Sequence, residues 1–471
     1  MSELPRVLLA LAGAALLAGC ALRGDLREPQ PLPSEPFVAA SPALTRPAAV
    51  QADWWQLYQD PVLTELVVEA LDVNRQVEAA VARLEAARSR VRESRQGHAP
   101  YDGLSAGHRR EELSVSEGGA RNQRFHLGVE ASWEADLFGR VRASVVAARA
   151  REELAEADLD GVRLSIAVEA AQLYFDWRGT RQRLRLHEAY VRDQSKLVEL
   201  VQARIAGGMA VPADLHRARA QLAADRAAQL ADRHRARSLE YALAVLLARR
   251  PGDWLAPEAE ALVPLTLHAV PIADPEALLQ RRPDVVAARR RLVAATADID
   301  IVAAELFPRV KISGFLGYAA GNPAALGDGG ADAWTVLPTI HWGVFQLGRV
   351  RARIRGAEAE QQALVAEYEH TVLRALAETE DALSGLGTAQ AVLAEGATRT
   401  AHARRAADLA RLQFEEGASD YFRVLDAARD AREAELGLVA ALVAQRSATL
   451  LLHKALGVPQ PPRLAATADE A

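Results

Sequence analysis

The sequence predicts a mainly α-helical protein with a smaller β part that lies in a membrane. Half of the 471 residues are apolar and only 5% are aromatic, and alanine, leucine, arginine and glutamate are abundant, which is the composition of long helices. Four short stretches nevertheless alternate between apolar and other residues, as strands do. A third observation orders these elements, because one unit of strands and helices occurs twice in the chain.

The two copies are separated by a nearly constant distance along the sequence. Asn74 corresponds to Arg282 (282 − 74 = 208), and Trp133 corresponds to Trp342 (342 − 133 = 209). The run GRVRA at 139–143 returns at 348–352. This period is far above the roughly 20 to 50 residues of solenoid repeats. We therefore predict two similar halves that pack side by side with pseudo-symmetry.

Composition and motifs argue against several classes of function. The net charge is −6, and only three of the 56 basic residues are lysine, with the arginines scattered along helical stretches, so nucleic acid is not an expected partner. A single cysteine excludes an internal disulfide and a cysteine-based metal cluster. The sequence contains no HExxH, GxSxG or phosphate-loop motif, so we expect no catalytic residue, no metal site and no enzyme activity.

The one cysteine follows a short apolar segment at the N-terminus. Arg6 precedes an apolar run over 7–18 that is too short for a mature transmembrane helix and ends in LAGC at Cys20. The pattern is typical of a bacterial lipoprotein signal over 1–19, after which Cys20 carries diacylglycerol and a fatty acid as a membrane anchor. An ordinary secretory signal with an incidental cysteine is the alternative. Residues 21 and 22 are alanine and leucine instead of the aspartate that commonly retains such lipoproteins at the inner membrane, which favours the outer membrane.

Proline-rich segments divide the chain into further regions. We expect residues 20–61 to be an extended tether from the lipid to the body, and 251–283 to be a connection between the two repeats. The repeats then occupy 62–250 and 284–458, and a loose tail covers 459–471.

Each repeat contains a predicted β-hairpin, at 100–133 and at 308–342. About ten residues of alternation with aromatic residues at the ends favour strands that face lipid on one side and a lumen on the other. A half-buried strand of a soluble sheet has the same period and is the alternative. Asp102 breaks the pattern of its strand, so we expect it near the membrane interface. The apolar positions are Phe125, Leu127, Val129, Ala131 and Trp133, then Val310, Ile312, Gly314, Leu316 and Tyr318, and then Trp334, Val336, Pro338, Ile340 and Trp342.

Two hairpins supply four strands, which are too few to close a barrel. Polar, glycine-rich segments at 109–123 and 319–333 are the predicted outer loops. Open sheet edges are not tolerated in lipid, so other copies must complete the sheet. A dimer would supply eight strands and a trimer twelve, and the larger number leaves room for a lumen.

Between the hairpins the chain is helical at unusual length. No proline occurs over 140–211 or over 339–458, so each run predicts a helical hairpin, at 140–250 and at 349–456. The turns fall at 208–214 and 417–420, where Asp214 and Asp420 suit the N-caps of the returning helices. A helix over 140–205 would be roughly 100 Å long. Such a length matches a reach across the periplasm, and the alternative is a soluble antiparallel coiled coil.

Four motifs in order resemble the outer membrane factor family, that is, the TolC-like and OprM-like exit ducts, and among them the NodT-type lipoproteins. They are SWEADLFGR at 132–140, RRPDV at 281–285, Phe307-Pro308 before a strand, and LDA at 425–427 after a turn. The resemblance covers about residues 50–458. It implies a homotrimer with a twelve-stranded outer membrane barrel and a twelve-helix periplasmic tunnel.

The resemblance also implies function and partners. Such a duct passively conducts small molecules from an inner membrane pump, of which the RND type is expected, through a periplasmic adaptor protein and out of a Gram-negative cell. An outer membrane channel for type I protein secretion is a second possibility. A lipid-anchored periplasmic coiled-coil adaptor without a channel is a third, from a different class. The transported substrate is not evident from the sequence.

The residue chemistry and the resemblance together name candidate functional positions. Trp133 and Trp342 are expected to end strands at the inner edge of the bilayer. Gly139 and Gly348 are expected to let the backbone turn from barrel into helix without a Cβ clash. The remaining candidates lie at the helical turns.

The helical turns are the expected periplasmic tip. Gly208 and Gly417 allow tight conformations there and would contact an adaptor.

The gate residues follow from the resemblance. In the family, side chains just after the second turn close the tunnel, and the matching positions are Phe422, Asp426 and Arg429, which share one helix face. Phe422 would form an apolar constriction, and Asp426 would form a ring of three carboxylates. Arg429, or Arg423 facing Asp214 on the neighbouring hairpin, would compensate that charge. TolC-like proteins have a second acid where this chain has Arg423, which would weaken cation selectivity.

Overall fold

A computed structural model describes residues 35–41, 45–47, 53–112, 121–254, 257, 261–265, 270–272 and 275–457. The predicted signal, the lipid-attachment residue Cys20, most of the first outer loop and the predicted tail lie outside the described residues. The order of elements is β1 Thr45–Pro47, α1 Pro61–Val73, α2 Arg75–Gln96, β2 Tyr101–Glu112, β3 Arg121–Ala135, α3 Arg140–Ala206, α4 Pro212–Leu246, β4 Val270–Ile272, α5 Pro275–Leu279, α6 Pro283–Ala303, β5 Arg309–Ala320, β6 Asp332–His341, α7 Leu347–Glu415 and α8 Tyr421–Ala455.

The predicted fold class is confirmed. Helices α3 and α7 are 67 and 69 residues long, and α4 and α8 have 35 residues each, so each repeat contains one long and one shorter helix joined by a tight turn. Four strands form a single antiparallel sheet. The chain divides into two compact units, one with 82–157 and 287–371, the other with 31–81, 158–286 and 372–471.

The first unit contains the four-stranded sheet, in the order β2-β3-β5-β6. The two hairpins come from different repeats, and β3 pairs with β5 so that Trp133 lies opposite Ile312. Strands β2 and β6 are the edges, and neither has a second neighbour among the residues that the structure describes. Pro338 lies in β6, and an edge strand is where a residue without an N–H is tolerated.

The second unit is held together by apolar contacts among the helices. One cluster lies beside the two helical turns and is formed by Val201 of α3, Ala218 of α4, Phe414 of α7, and Tyr421 and Val424 of α8. By length and composition α8 could cross a membrane, but half of its most apolar stretch is buried inside the protein. We therefore assign α8 to the helical core.

Within the predicted extended tether, Trp54–Tyr58 forms a 3₁₀ segment that packs against the body. Trp54, Trp55 and Tyr58 are buried, with Trp54 completely inaccessible to solvent. Strand β1 pairs in parallel with β4 of the inter-repeat connection, which was also not predicted. Because these contacts are made by residues more than 200 positions apart, local sequence patterns do not indicate them.

The RRPDV motif has a structural explanation in the second unit. The Arg282 guanidinium is buried and donates to Asp284 and Glu378 and to the carbonyl oxygens of Ala375 and Ala455. Burial alone would raise the pKa of the Asp284 carboxyl, but the hydrogen bond and charge of Arg282 outweigh burial and lower that pKa. Arg282 therefore ties the start of α6 to α7 and to the end of α8.

Candidate functional site: sheet, junctions and helical turns

One face of the four-stranded sheet is apolar and exposed. It carries the apolar positions predicted from the alternation, aligned across the strands by the observed register, except Trp342, which directly follows the end of β6. Leu104, Leu316, Trp334 and Ile340 are each at least 70% exposed on this face. Continuous exposed apolar surface of this kind marks contact with a membrane or a partner, and its alternation is that of a membrane strand.

The opposite face is mostly polar, although Tyr101, Phe315 and Leu337 also lie on it. Ser105 of β2 lies 3.2 Å from the Nε2 atom of His126 and donates at 2.8 Å to the Glu130 carboxylate, both on β3. Among the described residues no group of three or more histidine, cysteine or acidic side chains has the arrangement of a metal site. This face has the polarity expected of a water-filled lumen.

The junctions between strand and helix are equivalent in the two repeats. The Trp133 indole N–H donates to the carbonyl oxygen of His98, and that of Trp342 donates to the carbonyl oxygen of Leu306, each at 3.0 Å. Gly139 has φ +80, a conformation that residues with a Cβ rarely adopt. The turn from β3 into α3 therefore depends on glycine.

Gly348 does not have the role predicted for both junction glycines, which was to let the backbone turn without a Cβ clash. It lies in the first turn of α7, it has no positive φ, and a Cβ there would meet no atom within 4 Å. The second junction turns instead through a 3₁₀ segment, Val344–Gln346, so the chain has already changed direction before Gly348.

The two helical turns have the same geometry. Gly208 and Gly417 have φ +73 and +78, and a Cβ on either would meet no atom within 4 Å. In the first turn the N–H of Met209 donates to the Arg204 carbonyl at 2.8 Å, a Schellman C-cap, and the second turn repeats this bond five residues back from Ala418. Each glycine is therefore required for its conformation and leaves free space around the turn.

The two predicted N-caps behave differently. Asp420 caps α8, because its Oδ1 atom accepts from the N–H of Arg423 at 3.0 Å. Asp214 is not the cap of α4. Pro212 begins that helix after Val211, which places Asp214 inside the first turn, where its carboxylate pairs with Arg217 at 3.2 Å.

The candidate gate residues lie together on an exposed face of α8. Phe422 is 58% exposed, and Arg423, Asp426 and Arg429 are exposed, while Tyr421 points into the helical core. Within the described part of the chain, no ion pair joins the Arg423 side chain to Asp214, which is occupied by Arg217. None of the described residues covers this face in the single chain.

A polar network joins α3, α4 and α8 near the helical turns, and the sequence did not predict it. Arg432 of α8 pairs with Asp225 of α4 at 3.0 Å and donates to Gln194 of α3 at 3.0 Å. Gln194 in turn donates to the Tyr421 hydroxyl at 3.3 Å, and Tyr190 of α3 donates to the Glu435 carboxylate. Burial, and then the bond to Glu435, raise the pKa of the Tyr190 phenol. No motif in the sequence marks these residues, because they come from three separate helices.

An exposed apolar sheet, aromatic residues at its inner rim and a long helical hairpin in each repeat define an outer membrane channel protein. The comparisons with known proteins agree with this class. The family described as outer membrane efflux protein matches residues 66–249 and 275–458, and the chain belongs to that family. The two matched segments overlap the two predicted repeats, 62–250 and 284–458.

Curated relatives match along nearly the whole chain. The outer membrane protein OprJ of Pseudomonas aeruginosa is 29% identical over 453 residues, which is 95% of each chain. The toluene efflux pump outer membrane protein TtgI of Pseudomonas putida is 28% identical over 407 residues, 85% of this chain and 86% of that one.

Solved structures show the same fold. The outer-membrane channel OprN is 34% identical, with a TM-score of 0.89 over 94% of this chain and 100% of that one. The outer membrane protein VceC from Vibrio cholerae is 29% identical, with a TM-score of 0.79 over 88% of this chain and 100% of that one. The chain is therefore an outer membrane efflux protein of a Gram-negative bacterium.

Proposed function

We propose that this protein is the passive exit duct of a tripartite efflux system, in which an inner membrane pump delivers small molecules through a periplasmic adaptor. The observation that carries the proposal is the sheet with one exposed apolar face, one polar face and two open edges. Relatives named as efflux pump outer membrane proteins favour efflux over protein secretion. The exposed apolar sheet argues against an adaptor that does not enter the membrane.

The working assembly in this proposal is a homotrimer. Four strands leave the edges β2 and β6 unpaired, and the N–H and C=O groups of such edges are costly in lipid. Three copies would supply twelve strands, enough for a barrel with a water-filled interior.

The helical turns are the proposed contact for the adaptor, and an RND-type pump is the proposed partner of the inner membrane. Gly208 and Gly417 leave open space around each turn, so that a partner helix tip could approach the backbone closely. The gate is assigned to Phe422, Asp426 and Arg429, with Arg423 and Asp214 nearby. Support comes from the exposed face that these α8 residues share.

A lipid anchor at Cys20 completes the proposal. Diacylglycerol and a fatty acid on this residue would hold the N-terminus at the inner leaflet of the outer membrane. No other cofactor is proposed.

Reconstitution in planar lipid bilayers tests the channel. We expect discrete conductance steps from the purified protein and heat-sensitive trimers in detergent. A protein that forms no pore, and that buffer extracts from membranes once acylation is prevented, would instead be the non-channel adaptor.

A further inference from the structure

The two junctions between strand and helix carry the same two arginines but different partners. At the first junction Arg140 donates to both carboxylate oxygens of Glu134, at 2.8 and 3.0 Å, and Arg142 lies 3.3 Å from Asp136. Each arginine is thus paired with an acid six residues earlier in the chain. The first junction neutralises its own positive charge.

At the second junction both acids are missing. Gly343 occupies the position of Glu134 (134 + 209 = 343), and Phe345 occupies that of Asp136 (136 + 209 = 345). The arginines are retained as Arg349 and Arg351, and both are exposed. Within the part of the chain that the structure describes, neither guanidinium has a hydrogen bond or an ion pair. Both positive charges are therefore exposed and available to a partner from outside the chain.

The side chain that replaces the second acid is apolar and completely exposed. No described part of the chain covers Phe345, and Trp342 and Val344 are 52% and 42% exposed. Trp342 directly follows β6, two residues after Ile340 of the apolar face, so exposed apolar side chains continue past the end of β6 towards the start of α7. Arg349 follows Phe345 by four residues, about one helical turn.

We propose that the second junction binds a phospholipid with an anionic headgroup in the inner leaflet of the outer membrane. Arg349 is the main ligand of the phosphate, Arg351 adds positive charge at the same depth, and Phe345 and Trp342 lie against the upper part of an acyl chain. Continuity with the lipid-facing strands selects a membrane lipid over a free anion, because a soluble phosphate gains nothing from Phe345. The first junction, with its internal pairs, has no such site.

Lipid binding at this site is a function separate from conduction, but it depends on the proposed function, because the sheet must lie in the membrane. The binding test uses the full-length protein in vesicles of phosphatidylcholine that contain one-fifth phosphatidylglycerol, with dibromo acyl chains on either lipid. Bromine quenches nearby tryptophans, so Trp342 reports which lipid is its neighbour. The difference between wild type and Trp342→Phe isolates that signal from the other six tryptophans among the seven in the chain. Conductance of the same preparation is measured in planar bilayers.

We expect brominated phosphatidylglycerol to quench Trp342 more strongly than its share of the bilayer explains. Arg349→Gln should lower this preference about fivefold, and the double variant with Arg351→Gln should abolish it, as expected for arginines beside an anionic surface. Arg405→Gln, the same loss of charge at an exposed position much farther along α7, should change nothing.

Gly343→Glu provides a test that keeps both arginines. Gly343 has φ −86, and the nearest atom to a Cβ there is 3.8 Å away, so glutamate is tolerated. It would rebuild the pair that Glu134 forms with Arg140, and should remove the lipid preference. A preference that survives Gly343→Glu and the double arginine variant would overturn the proposal. A wild-type protein that conducts but shows no preference for phosphatidylglycerol near Trp342 would also overturn the proposal. This result is expected if a carboxylate of another subunit pairs with the two arginines. A protein that neither inserts nor conducts would overturn the proposed function as well.

Discussion

The indole nitrogens of Trp133 and Trp342 donate to the carbonyl oxygens that end the preceding helical segments, 35 and 36 residues earlier. These equivalent bonds place a large amphipathic side chain at the same point of each repeat, where an apolar sheet face gives way to helix. Tryptophan is favoured at a membrane interface because its ring is apolar and its N–H is polar. At the scale of single residues, both repeats have this tryptophan hydrogen bond, but the charged residues around it differ.

The gate assignment predicts the behaviour of two single substitutions. Asp426→Ala should lower the channel's preference for cations, because it removes the carboxylate that each of the three chains contributes to the proposed ring. Phe422→Ala should raise the conductance of the closed state, because it widens the proposed apolar constriction. Ion selectivity and single-channel conductance in planar bilayers measure both. Asp408→Ala, an equal loss of charge at an exposed position of α7, serves as the control. Unchanged values in both variants would exclude these residues from the gate.

His453 predicts a pH dependence of stability. Its ring stacks on Trp54 with 5.4 Å between centroids, it is almost completely buried, and neither ring nitrogen has a partner in the described residues. Burial lowers the pKa of His453 from 6.5 to about 4. Because the folded protein holds the neutral ring, the stabilisation is complete above about pH 6.5 and decreases as the pH falls towards about 4, by up to roughly 3 kcal/mol.

Thermal unfolding in detergent, followed by near-ultraviolet circular dichroism between pH 7 and pH 4, measures this effect. His453→Phe keeps a ring against Trp54 and should flatten the dependence in this window. The exposed His402, changed to Gln, should leave it intact. Equal slopes for wild type and His453→Phe would show that another group titrates.

Cys20 lies outside the described residues, and its role stays a prediction of the sequence. Cys20→Ser should abolish incorporation of labelled fatty acid and leave the signal uncleaved or wrongly cleaved, because only the thiol accepts diacylglycerol. Metabolic labelling and the mass of the mature N-terminus measure this. Ala21→Ser should still incorporate lipid, and normal labelling of Cys20→Ser would refute the anchor.

At the scale of elements, both helical hairpins turn through the same capping geometry. Each turn places a glycine in the left-handed region and closes it with the same pair of backbone bonds. The returning helices begin differently, one after a proline and the other under an aspartate cap. The turns are therefore equivalent in conformation but differ in side-chain chemistry, as two contact sites for one partner would.

Substitutions at the turns separate conformation from partner contact. Gly417→Ala should lower the free energy of unfolding by about 1 kcal/mol, because alanine disfavours positive φ, whereas Gly385→Ala in the exposed middle of α7 should raise it by about 0.5 to 1 kcal/mol. Chemical denaturation measures both.

The bulky replacements Gly208→Trp and Gly417→Trp should block pump-dependent export while the trimer still forms. Export assays beside trimer gels test the contact. Full export in both variants would exclude docking at these turns.

At the scale of the whole molecule, the chain is incomplete as a barrel. Its four strands end in two edges, and its apolar sheet face is exposed in the single copy. In the proposed trimer β6 of one copy pairs with β2 of the next, and every edge is satisfied. Pro338 already removes one N–H from β6, so this pairing has fewer bonds than it could have.

The proposed pairing predicts opposite effects for two edge substitutions. Val336 is two residues from Pro338 and has the same orientation in the strand, so Val336→Pro should remove an N–H that faces the neighbouring copy and lower the temperature at which the trimer dissociates. Pro338→Val should raise that temperature by restoring a donor. Heated trimer gels and light scattering in detergent measure it. Effects of equal sign would contradict pairing along this edge.

Local patterns were sufficient to predict much of the fold. The strands, the proline-free helices and the two glycine turns follow from periodicity and backbone chemistry, which neighbouring residues determine. The resemblance at residues 132–140 and 281–285 then indicated the family. The roles predicted for Gly348 and Asp214 were wrong. Each prediction required the start of a turn or a helix to be known to within one or two residues.

Only the tertiary structure decided which distant side chains meet. The Arg432–Asp225 pair, the bonds from Arg282 to Ala375, Glu378 and Ala455, and the stack of Trp54 on His453 join residues far apart in the chain, so no local spacing indicates them. The unequal junctions needed both sources. The sequence by itself determined that the second repeat keeps its arginines and lacks the acids, and the structure determined that the acids of the first repeat bind theirs while Arg349 and Arg351 are exposed. The amino-acid sequence determines which charged side chains are present. Whether they neutralise one another depends on the distances between them, and only folding sets those distances.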